Sequence, residues 1–121
     1  MTAMRFDSRE LKDYAEPVSK SALKEGSVYY LLNYLDETLL IPVLEPLVFI
    51  GRNLNPDDVG QVYFQDADSY RRGVRHTSAT KDDEAVFDIC SEDSISHIFE
   101  FERALNELLK CSLRRRKDQT E

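Results

Sequence analysis

Asp88, Cys90 and His97 are the residues of this 121-residue sequence that come nearest to a catalytic set. A carboxylate, a thiol and an imidazole can together make an activated nucleophile: the base takes the thiol proton, the acid orients the base, and the thiolate attacks. The local pattern offers a way to assemble them. Ala85-Val86-Phe87-Asp88-Ile89-Cys90 and Ile95-Ser96-His97-Ile98-Phe99 read as two strands joined by Ser91-Glu92-Asp93-Ser94, a hairpin with a four-residue loop. A symmetric loop sets Cys90 opposite Ile95, Asp88 opposite His97 and Val86 opposite Phe99. Cys90 and His97 are then diagonal neighbours about 7–8 Å apart at the backbone, too far for a productive thiol–imidazole contact. The simpler reading is a cross-strand carboxylate–imidazole pair, and no catalytic residue is assigned.

Metal and nucleotide chemistry find less support. His97 and Glu100 stand three apart, but a two-metal carboxylate site needs the Glu-x-x-His spacing twice. Asp66-Ala67-Asp68 opens like a calcium loop, yet Tyr70 replaces the third oxygen ligand, Arg71 the glycine and Thr77 the final glutamate. Gly26, Gly51, Gly60 and Gly73 are isolated, so neither phosphate-binding fingerprint can be written. Cys90 and Cys111 lie 21 positions apart and match no zinc or disulfide framework. No cofactor and no metal is expected, and both cysteines read as small, partly buried hydrophobes.

Charge narrows the partners. The chain carries a net charge of −7. Residues 1–109 hold 11 basic against 21 acidic residues, a balance of −10, whereas residues 110–121 hold 5 against 2, a balance of +3. Between Gly26 and Ser69 Arg52 is the single base among seven acids, so a sheet built there repels a phosphate backbone. Two basic clusters remain: Arg71, Arg72 and Arg75 (with His76), and Arg114, Arg115, Arg116 and Lys117. Brought together they would make a cationic patch suited to RNA or an acidic partner. Left apart, the second complements a helix C-terminus and the first is solvated surface.

The elements that must carry these residues follow from spacing. Asp7-Ser8-Arg9-Glu10 has a helix-capping pattern, predicting a short helical lead-in before Pro17 with Leu11 and Tyr14 on one side, and a second turn over 21–25. Val28–Leu35 is a strand apolar enough to be covered on both faces. Leu39–Arg52 returns as a longer strand. Pro42 and Pro46 share one parity and so withdraw their missing donors from the same side, which places this strand at a sheet margin. A helix there would cost about 3 kcal/mol per proline. Gly60–Gln65 is a third strand, Asp66 caps a short helix over 67–72, and Gly73 ends it. From Glu100 to Arg116, Phe101, Ala104, Leu105, Leu108 and Leu109 recur at helical spacing, with 117–121 as a tail.

The expected architecture is one α+β domain: a small, mostly antiparallel five-stranded sheet or half-open SH3-like barrel with a C-terminal amphipathic helix. At 14.0 kDa such a domain exposes roughly 6,700 Å² when compact. The composition, 41% hydrophobic and 32% charged, excludes collagen-like and strongly disordered chains. The greasiest stretch, Leu39–Ile50, is broken by Pro42, Glu45 and Pro46 and is too short to span a bilayer. The first residues lack the apolar run of a secretory signal, so a cytoplasmic location is expected. Strands one and two carry more large side chains than one sheet face needs. The leading expectation is therefore a non-catalytic protein-interaction or homodimeric accessory module, with Leu39, Ile41, Val43, Leu47 and Phe49 as its surface. Binding of RNA or an acidic partner through the arginines is second, and an enzyme of unrecognised type third.

Overall fold

The β-formers of Val28–Tyr34 make the first strand, β1, and its alternation explains why nearly every residue in it is apolar. Tyr29 and Leu31 point to one side, Tyr30 and Leu32 to the other, and both sides are covered. The computed structural model describes residues 3–6, 8–57, 59–90 and 95–120. Within them β1 is followed by β2 (Pro42–Arg52), β3 (Val62–Asp66), helix α1 (Ala67–Arg71), β4 (Phe87–Cys90), β5 (Ile98–Phe99) and helix α2 (Phe101–Thr120). The five strands form one antiparallel open sheet in the order β4-β3-β2-β1-β5. The fold is α+β.

One side of the sheet buries Val18, Leu23, Tyr29, Leu47, Phe49, Val62, Phe64, Cys90, Ile95 and Ile98. The other buries Leu32 and Phe99 beneath Ala104 of α2, with Tyr30 and Leu108 packed alongside. Asp66 caps α1 as its spacing predicts, accepting from the Ser69 N–H at 2.9 Å, and Gly73 (φ 96) ends the turn. Gly51 (φ 150) sits at a bulge where β2 gains a residue against β3. A Cβ there would stand 2.8 Å from Leu54 Cδ2.

Four expectations are corrected. First, β4 and β5 do not form a hairpin: β4 pairs with β3 (Phe64↔Asp88, Val62↔Cys90) and β5 with β1 (Tyr30↔Phe99, Leu31↔Ile98). The loop 91–94 lies outside the described residues, and after it Ile95 is buried in the first core. The split arrangement completes a ladder on two open strand edges, whereas a hairpin added to the sheet completes only one. Second, β2 is the central strand. Its prolines are accommodated because β3 stops at the pair Leu47↔Asp66, so Pro42 and Pro46 lie on an overhang paired with β1 alone. The Leu35 N–H to Ile41 carbonyl and Phe49 N–H to Ser27 carbonyl bonds set the parity in which both prolines turn away from β1. The shared parity of Pro42 and Pro46 thus marks a margin along half of the strand only.

Third, residues 8–16 are not helical; Asp7, the expected cap, lies outside the described residues. The charges of this segment are used along α2 instead. Arg9 bonds Glu102 and Asn106 at 2.8 and 2.6 Å, Glu16 pairs with Arg103 at 2.6 Å, and the Lys12 carbonyl accepts from Lys110 at 2.9 Å. The early helical structure is a 3₁₀ turn over Lys20–Ala22. Fourth, α2 runs to Thr120, so 117–120 is helix, not tail.

Candidate interaction surface

The catalytic candidates do not converge. Asp88 is exposed on β4, at one end of the sheet, and His97 is exposed just before β5 at the other; among the described residues no hydrogen bond or ion pair joins them. Cys90 is buried. Burial pushes its thiol up from the ordinary value, and the neighbouring Asp88 charge pushes the same way. That is the reverse of what a thiol nucleophile needs. Asp66 is committed to the fold: its carboxylate accepts from Ser69 Oγ, Ser69 N–H and Val86 N–H at 2.6, 2.9 and 2.8 Å. Burial alone would raise it, but these bonds and the nearby Arg72 bring it below the ordinary carboxylate range. Among the described residues no group of three or more His, Cys, Asp or Glu is placed to hold a metal ion.

The basic clusters are carried by different parts of the sheet, since α1 packs on β2 and β3 whereas α2 packs on β1 and β5. Arg72 pairs with Asp68 at 3.2 Å. Arg75 stacks on Tyr70 and bonds the Tyr70 and Val74 carbonyls at 2.8 Å. Arg114 is half-buried and bonds the Leu39 carbonyl and Tyr34 Oη. Arg71, Arg115, Arg116 and Lys117 are exposed.

The expected apolar surface divides. Leu47 and Phe49 belong to the core, with 6% and 0% exposure, because their parity on β2 points them at Val62 and Phe64. They reach no partner. Val43 is half-buried, and Leu39 and Ile41 are exposed at the hairpin end. This overhang is a poor template for strand addition, since Pro42 and Pro46 remove two donors from its free edge.

A second apolar surface lies on α2. Ala104, Leu108 and Cys111 face the sheet; the Cys111 thiol donates to the Leu39 and Leu40 carbonyls at 3.6 and 3.7 Å. Leu105, Leu109 and Leu113 recur every four residues on a second face. With Phe6 and Leu11 from the N-terminal segment they line a groove of about 370 Å³, bordered by Arg9, Ser112 and Arg116. Leu109 is 36% exposed, Leu113 51% and Phe6 83%. The whole chain exposes 9018 Å², about a third more than a compact monomer of its mass.

Helical spacing from Phe101 to Leu109 merges both faces into one stripe and stops short of Leu113. The available signal was width: apolar side chains at 101, 104, 105, 108, 109, 111 and 113 cover more of a helix than one packed face needs. Among the described residues no helix is long and apolar enough to cross a membrane. Comparison with family models, curated proteins and solved structures gives no match.

Proposed function

We propose that the protein is a non-catalytic protein-interaction module that docks a protein partner, another copy of itself included, on the outer face of α2. The observation that carries this reading is the groove in which Leu105, Leu109 and Leu113 lie beside Phe6 and Leu11 with arginines at its borders. Large apolar side chains gathered on an exposed face and rimmed by charge are what a protein interface needs. The raised pKa of Cys90 and the separation of Asp88 from His97 weigh against an activated thiol built from these three residues.

The test is retention of partner by the full chain against Leu113→Glu. Leu113 is half exposed, so its replacement leaves unfolding free energy within about 0.5 kcal/mol while removing retention. Apolar docking is nearly unchanged between low and moderate salt. Binding through Arg115, Arg116 and Lys117 to RNA or an acidic partner falls steeply over the same range. Steep salt loss with Leu113→Glu still binding would replace this reading by the electrostatic one.

A further inference from the structure

We infer that the occupant of this face is a second copy of the chain, paired through two antiparallel α2 helices about a two-fold axis at Leu109. This rests on the interaction reading above and names its partner. The inference comes from a self-complementary spacing. Counted from Leu109, leucines stand four residues before and after (Leu105, Leu113), and small polar side chains three before and after (Asn106, Ser112). Opposite charges stand seven before and after (Glu102, Arg116).

A two-fold axis across the helix at Leu109 carries each of these positions onto its opposite in the second copy. Leu109 meets Leu109, Leu105 meets Leu113, and Glu102 meets Arg116 at both ends. Parallel pairing would set Glu102 against Glu102 and Arg116 against Arg116, so charge selects the antiparallel arrangement.

The geometry suits helix pairing. Glu102, Leu109 and Arg116 repeat every seven residues with Leu105 and Ser112 between them, the seam spacing of helices that pack side by side at a shallow angle. From Glu102 to Arg116 the helix spans about 21 Å. The Glu102 side chain is 66% exposed and uses Oε2 for Arg9, and a carboxylate can accept a second guanidinium on its other oxygen. Phe6 and Leu11 extend the apolar floor beside the leucines. The β2 overhang competes weakly, because its prolines block edge pairing.

The experiment is native mass spectrometry and sedimentation of the full chain, with Leu109→Glu, Leu113→Glu, Glu102→Arg, Arg116→Glu and the double exchange Glu102→Arg/Arg116→Glu. The wild type is expected at twice its 14.0 kDa mass. Leu109→Glu and Leu113→Glu each weaken the dimer on the order of 100-fold with helix content unchanged by circular dichroism. Each single charge reversal weakens it on the order of tenfold, and the double exchange restores it. A wild type that stays monomeric overturns the inference, as does a dimer indifferent to these changes. If the chain is monomeric and Leu113→Glu still removes retention of another protein, the second-copy inference falls and the interaction reading stands. If neither effect is seen, both fall.

Discussion

Arg114 Nε donates to the Leu39 carbonyl at 3.1 Å, and Leu39 holds the left-handed conformation, φ 60, that brings that carbonyl to the helix. The same guanidinium donates to Tyr34 Oη at 2.9 Å and lies over the Tyr34 ring, 5.4 Å from its centroid. One arginine of the C-terminal basic cluster thus clamps α2 to the turn between β1 and β2. A bulky residue with positive φ is held only where its surroundings over-determine it. Here the Asp36 carboxylate, accepting from the Leu40 and Ile41 N–H groups and from Thr38, fixes the turn from the other side.

Replacing Arg114 therefore acts on stability. Arg114→Ala removes two hydrogen bonds and a cation–ring contact from a half-buried site and is expected to lower the unfolding free energy by about 1–2 kcal/mol. Urea denaturation measures it. Arg115→Ala, at an exposed position of the same cluster, should change it by less than about 0.5 kcal/mol. Equal effects would remove the clamp.

The thiols should be unreactive in the folded protein. Cys90 is buried with its pKa raised by burial and by Asp88, and Cys111 is 3% exposed with its thiol donating to carbonyls. Alkylation at neutral pH is expected to be slower than for a free peptide thiol at both, becoming fast only in denaturant. Rapid labelling of Cys90 in the native state would restore the activated-thiol reading.

Acid should destabilise the fold through two turns. Asp36 is held below the ordinary carboxylate range, first by the Thr38 hydroxyl and then by the Leu40 and Ile41 N–H groups against an opposing burial effect; Asp66 is lowered as described above. A carboxyl whose pKa is lower in the folded state contributes stability that is fully present above its unfolded pKa, about 3.9, and is lost as pH falls through the folded value. The thermal midpoint is expected to drop on acidification below about pH 4. Asp36→Asn and Asp66→Asn should each lower it at neutral pH and flatten that acid slope. An unchanged slope in the double variant would place the acid sensitivity elsewhere.

The strand-forming segments, the Asp66 cap, the Gly73 stop and the C-terminal helix were legible in the sequence because each depends on short-range features. These are alternation over a few residues, a capping side chain, a glycine able to take positive φ, and apolar spacing near 3.6. The covering of β1 on both faces was legible for the same reason, since Tyr29 to Leu32 leave no polar side to turn toward water. Pro42 and Pro46 correctly marked a side of β2 without a partner. How far β3 would extend along that side depended on where another strand ended.

Local pattern thus set which segments become the five strands and the C-terminal helix. Tertiary structure alone decided that β4 joins β3 while β5 joins β1, that Leu47 and Phe49 are core, and that residues 8–16 lie along α2 instead of coiling. It also decided which of the helix's two apolar faces meets the sheet. The physical reason is common to all four. Ladder hydrogen bonds, ion pairs such as Arg9–Glu102 and burial beneath a helix join residues tens of positions apart, and their balance depends on which edges and faces the rest of the chain leaves open.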